Sequence, residues 1–112
     1  MPAALLPENA IIAEEKLTQY LLILLPKDDK SKFLAKAGYR LDNWQQLEQD
    51  LRTQVLTQDA DFVETTRYGR KYCIRACLRG SNGVELSILT VWIVDNGTAR
   101  FVTLVPDKGA NP

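Results

Sequence analysis

Between Glu64 and Glu85 the chain carries no acidic residue, yet Arg67, Arg70, Lys71, Arg75 and Arg79 all fall inside that window. Arginine forks suit phosphate and carboxylate oxygens through paired hydrogen bonds, so the chemistry such a run offers is anion binding. Read at the strand period of two, Lys71, Arg75 and Arg79 share a face with Cys73 and Cys77, opposite Tyr72, Ile74 and Leu78. If helices cover the apolar side, the basic row lies on an open sheet face that can receive RNA or another anion. The plainer alternative is a solvated strand whose cations discourage edge-to-edge aggregation. Further along, Thr90 and Trp92 alternate with Leu89, Val91 and Ile93. The larger aliphatic set is expected to face the helices, which leaves Thr90 and Trp92 beside the basic row. An indole there can stack a nucleobase, worth about 1–3 kcal/mol per base, or it can fill a core or an interface. Thr103 alternates with Val102 and Leu104, so its hydroxyl is expected on the same open face.

Much other chemistry is excluded. The chain has 112 residues, 14 basic and 14 acidic side chains and no histidine. It therefore lacks a whole-molecule field for nucleic acid or anionic membrane, and any basic patch must be local. The commonest general base and metal ligand is missing. With only Cys73 and Cys77 as thiols, a closed zinc site is not available within one chain. In a single strand their Cα atoms would lie about 13 Å apart, too far for a disulfide. They read as small, half-buried strand residues. The carboxylates form no convincing catalytic pair, and no HExxH, Walker loop, GxSxG elbow or dinucleotide fingerprint occurs. No cofactor is expected. The apolar run from Leu21 to Leu25 is too short to span a bilayer and no basic leader precedes it, so a cytoplasmic protein is expected.

The elements that must position these residues change period midway. Leu17, Tyr20, Leu21 and Leu24 form one helical stripe within Glu14 to Leu25, stopped by Pro26. Asp28 and Asp29 can cap a second helix with Phe33, Leu34 and Ala37 inside and Gly38 at its end. A third starts at Asp42, with Gln45 in a capping-box position and Trp44, Leu47, Leu51 and Val55 as its stripe. Beyond Asp59 strands are expected over Phe62–Thr66, Arg70–Arg79, Val84–Val94 and Arg100–Val105, with turns at Tyr68-Gly69, Gly80–Gly83 and Asp95–Gly97. Helices first and strands afterwards imply a single α+β domain over residues 1–112. About three helices would pack on one face of a four-stranded antiparallel meander. The ordered core is expected over about 9–106, with an extended lead-in before Glu14 and the last six residues frayed.

Several blocks are also familiar. Asn9-Ala10, Lys16-Leu17 and Tyr20-Leu21-Leu22 form one, and Lys32-Phe33-Leu34, Gly38-Tyr39, Asn43-Trp44 and Leu47 a second. Tyr68-Gly69, Lys71-Tyr72, Thr90-Val91-Trp92-Ile93 and Arg100-Phe101-Val102-Thr103 with Pro106 complete the set. Together they resemble a small uncharacterised bacterial family, common in cyanobacteria, that stands alone or ends larger toxin-like and phage-like proteins. Its element order is similar to the metal-independent ribonuclease fold of barnase, EndoU, colicin and RelE-type toxins. In the family pattern a His-Pro pair and a glycine precede the lysine of the second block. Here the stretch reads Leu25-Pro26-Lys27-Asp28-Asp29-Lys30, without histidine.

The resemblance implies a ribonuclease-related domain of toxin–antitoxin type, with RNA across the open sheet. Arg75 and Lys71 would hold the phosphate, Thr103 would position it, and Lys32 would serve in proton transfer. Tyr72 is a weaker candidate for that transfer, because its strand parity puts it on the core side. Arg67, Arg79, Thr90 and Trp92 would bind the RNA, with Trp92 stacking a base. The RNA's own 2′-hydroxyl would be the nucleophile. RelE-like nucleases work without histidine, through lysine, arginine and tyrosine. The second expectation is a non-catalytic interaction module docking a small protein encoded beside it, and strand edges offer a homodimer contact.

Overall fold

The computed structural model describes residues 5–7, 9–22 and 30–107. The first helical segment begins as α1 (Glu14–Lys16) and widens at once into a π-helical turn, Leu17–Leu21, closed by the Leu22 amide on the Leu17 carbonyl at 3.0 Å. The wider turn lets Leu17, Leu21 and Leu22 all reach the core. Leu24, Leu25, Pro26, Asp28 and Asp29 lie outside the described residues. Helix α2 (Ser31–Ala35) buries Leu34, and Gly38 follows at φ +89°, the left-handed break expected there. A 3₁₀ turn over Leu41–Asn43 then leads into α3 (Trp44–Asp50), which continues as π-helical Leu51–Val55. This start corrects the capping box expected at Asp42. Asp42 lies inside the turn, and the Arg40 amide donates to Asn43 Oδ1 at 2.7 Å instead. The expected stripe holds, with Leu47, Leu51 and Val55 fully buried.

Four strands follow in the order β1-β2-β3-β4, each antiparallel to its neighbour. They are β1 (Asp61–Thr66), β2 (Gly69–Arg79), β3 (Glu85–Asp95) and β4 (Thr98–Pro106). The architecture is the expected α+β meander. Ile74 and Leu78 of β2, Leu86 and Ile88 of β3 and Leu104 of β4 meet the helical leucines in one core. The β2–β3 turn packs against the end of α2, where a Cβ on Gly80 would stand 1.8 Å from the Ala37 carbonyl oxygen. No other residue type fits there.

A buried polar knot joins α3 to β2. Tyr39 Oη donates to Asp50 Oδ2 at 2.6 Å and lies 3.2 Å from the Arg79 carbonyl, while Gln46 Nε2 donates to Asp50 Oδ1 at 2.9 Å. Burial, reinforced by the Asp50 carboxylate, pushes the Tyr39 hydroxyl pKa well above its ordinary value. The lead-in before α1 is held rather than loose. Leu6, Ala10 and Ile12 are buried, and Arg52 Nη1 donates to the Ala10 carbonyl at 2.7 Å. Ile11 runs parallel to the outer edge of β4, its amide on the Ala99 carbonyl and its carbonyl accepting from Phe101, both at 2.8 Å.

Candidate functional site

On β2 the faces fall as the period predicts. Ile74 and Leu78 are buried against the helices, while Arg75, Cys77 and Arg79 are exposed on the opposite side. The neighbouring strand corrects the expectation. Cross-strand register sets Ile74 against Thr90 and Tyr72 against Trp92, so both belong to the helix side. Trp92 and Thr90 are 0% exposed. Thr90 Oγ1 donates to the Ile74 carbonyl at 3.1 Å and accepts from Trp92 Nε1 at 2.8 Å, satisfying every polar atom of the pair. Trp92 also meets Phe101 edge-on, with centroids 5.2 Å apart. It is a core residue and presents no face to a base. The half-buried Leu89, Val91 and Ile93 lie beside the basic row instead, opposite Arg75, Cys73 and Lys71.

The basic row carries little unmatched charge. Lys71 Nζ is 3.9 Å from Glu64, Arg79 Nη2 is 2.6 Å from Glu85, and Arg75 Nη1 is 3.1 Å from Asp107. The acids that bound the basic window in sequence therefore return across the strands to pair with it. Asp107 also corrects the frayed end expected from that residue onward: its side chain is 8% exposed and its amide donates to the Ser87 carbonyl at 2.9 Å. Arg79 holds the Glu85 carboxyl below the usual range, chiefly by hydrogen bonding. Arg67 leaves the row and covers the Tyr68 ring at 5.1 Å, with Nη2 on Tyr68 Oη at 3.0 Å. Both thiols are free, and burial is the main cause raising their pKa values. Lys32 is exposed on α2, in the helical layer, across the sheet from Arg75. Thr103 pairs with Val91, which pairs with Cys73, so it stands on the same sheet face as Lys71 and Arg75, two strands away.

Thr103 does meet a cation, and it is a different one. The strap formed by Ile11 occupies the β4 edge as far as Phe101. Register then slips: Trp92 pairs with Phe101 and Val91 with Thr103, leaving Val102 as the extra residue of a bulge. There a cleft of about 530 Å³ opens, lined by Lys16, Tyr20, Lys30, Val102 and Thr103. Lys30 Nζ donates to Tyr20 Oη at 2.7 Å and to Thr103 Oγ1 at 3.1 Å, and lies 4.7 Å from the Tyr20 ring centroid. Both acceptors are neutral. Among the described residues no carboxylate forms an ion pair with Lys16 or Lys30.

Sequence reasoning named Thr103 but missed Lys16, Tyr20 and Lys30. The spacing of Lys16 and Tyr20 puts them on one helical face, a weak signal. Nothing local joins Lys30 to Thr103, which are 73 positions apart. Among the described residues no cluster of potential metal ligands occurs, and no helix is long and apolar enough to cross a membrane.

No curated protein and no solved structure matches the chain. A family model described as "Domain of unknown function (DUF6883)" matches residues 6–108, from the lead-in that straps β4 to the first residue beyond Asp107. The chain is a member of that family.

Proposed function

We propose that the domain binds RNA by a phosphate held in the cleft beside β4, as a ribonuclease-related domain of toxin–antitoxin type. The observation that carries this reading is the Lys30 ammonium, half-buried against two neutral oxygens and an aromatic ring, with Lys16 lining the same cleft. An ammonium so placed attracts an anion from solution. Two further features support it. The element order, helices followed by a four-stranded antiparallel meander, resembles that of the barnase, EndoU, colicin and RelE group, a likeness of arrangement that does not itself establish activity. The first and last blocks of the resemblance, through Lys16, Tyr20 and Thr103, line one cleft.

The chemistry available there is charge stabilisation around the RNA's own nucleophile. The 2′-oxygen bonds to phosphorus as the bond to the 5′-oxygen breaks, leaving a 2′,3′-cyclic phosphate and a 5′-hydroxyl. The proton lost by the 2′-hydroxyl goes to water, and water returns one to the 5′-oxygen. Lys30 and Lys16 stabilise the charge on the phosphate while Thr103 positions it. The test is incubation of RNA with the protein in excess EDTA, beside Lys30→Ala and Arg75→Ala. Cleavage by the parent and Arg75→Ala but not by Lys30→Ala supports the reading. RNA neither bound nor cut by folded protein rejects it.

A second reading has its own support. Leu89, Val91 and Ile93 form a half-buried aliphatic row on the uncovered sheet face, bordered by ion-paired residues. An apolar centre with a polar rim suits a protein contact. The partner would be a small protein encoded beside this chain. Co-purification of that neighbour, lost in Val91→Lys, supports this reading; failure of the purified pair to associate removes it.

A further inference from the structure

We infer that the cleft selects a doubly charged phosphate, the terminal phosphomonoester of an RNA strand, over the singly charged internal phosphodiester. The inference rests on the phosphate-binding reading above and sharpens which phosphate is bound. Its basis is a count of donors and charges. An ammonium has three N–H groups. Two of those on Lys30 go to Tyr20 Oη and Thr103 Oγ1, so the third remains for a ligand. Because Thr103 Oγ1 accepts from Lys30, its own hydroxyl proton is directed elsewhere, and its side chain lines the cleft. Lys16 adds a second ammonium on the same wall. The cleft thus offers donors from three side chains and two positive charges, with no described carboxylate among its lining residues.

An internal phosphodiester carries one negative charge and leaves one of these cations without an anionic partner among the described residues. A phosphomonoester carries about −1.5 to −2 at neutral pH and three strong acceptor oxygens, which matches both charge and donor number. The same match describes the phosphorane reached when a 2′-oxygen attacks an internal phosphate. The shared chemistry is therefore the phosphate dianion, and its source is what the experiment resolves. Tyr20 is a positioning residue here: it and Thr103 aim the Lys30 ammonium from two elements separated in sequence.

The test is displacement of a fluorescent 5′-phosphorylated RNA pentanucleotide by unlabelled competitors in EDTA. The competitors share one sequence and carry a 5′-phosphate, a 3′-phosphate or hydroxyls at both ends. A phosphorylated competitor is expected to bind about tenfold tighter than the dihydroxyl form, the scale of one charge-assisted hydrogen bond. In Lys30→Ala, and in Lys30→Gln as the variant that keeps side-chain length, this preference is lost. Equal affinity of all three competitors, still weakened by Lys30→Ala, overturns the inference and leaves the phosphate-binding reading standing. It would assign the dianion match to the phosphorane if internal cleavage accompanies it. Binding indifferent to both Lys30 variants, or none at all, overturns both.

Discussion

Two regions of this molecule collect cations, and they treat them oppositely. On the uncovered sheet face Lys71, Arg75 and Arg79 form the row that stands out in the sequence, and each is matched by Glu64, Asp107 or Glu85. In the cleft beside β4, Lys16 and Lys30 come from separate segments of the chain, and Lys30 rests on two hydroxyls. A run of like charge in sequence is thus a poor guide to unmatched charge in space, because strand pairing brings back the acids that the run excludes. Cations facing neutral oxygens are the better place to look for an anion.

The largest effect expected from this comparison concerns which face of the sheet is core. Trp92→Ala should lower stability by about 3–5 kcal/mol, measured by urea unfolding. Trp92→Leu, folded and with unchanged RNA affinity, would separate packing from base stacking, since leucine offers no ring to stack on. Tyr39→Phe should cost about 1–3 kcal/mol, since Asp50 Oδ2 loses its buried donor. That difference is pH-dependent in a fixed direction. The folded Tyr39 pKa is raised above its ordinary 10.0, so its contribution is complete below that value and declines as pH rises beyond it. Parent and Tyr39→Phe unfolding curves should converge on moving from pH 8 to pH 11. A gap that widens would contradict the assignment.

Smaller effects distinguish the two cation groups directly. Lys30→Ala should weaken RNA binding about tenfold with little change in stability, whereas Arg75→Ala should leave binding nearly unchanged. Asp107→Asn should lower stability by about 1 kcal/mol, since it removes the mostly buried partner of an exposed arginine. It should also add RNA retention at low salt, because it leaves Arg75 on the sheet face without its carboxylate partner. The smallest effect is local. Glu85 should titrate below the usual glutamate range in an NMR titration and return to it in Arg79→Ala. The stability linked to that shift is present above the usual glutamate pKa and fades as pH falls.

The fold was legible because its signals are short-range. The period changes after Asp59, and the observed strand limits depart from the expected ones by only one or two residues. The β2 faces followed from alternation alone. The β3 faces did not, since aliphatic bulk favoured burying Leu89, Val91 and Ile93. The register across Gly80–Gly83 decides the matter by setting Arg79 opposite Glu85 and Leu78 opposite Leu86. Leu86 and Ile88 share parity with Thr90 and Trp92, a clue that outweighs bulk in the second half of the strand. The cleft was legible only through Thr103. Its lysines come from separate elements, and the bulge at Val102 beside them is a property of pairing that hydropathy does not encode.

The most direct test of where an anion binds is an NMR titration of the protein with 5′-phosphorylated RNA, following backbone amides and lysine side chains. Shifts concentrated at Lys16, Tyr20, Lys30 and Thr103, with Lys71, Arg75 and Arg79 unmoved, are the predicted result. Shifts concentrated along Lys71, Arg75 and Arg79, with the cleft silent, would contradict the account.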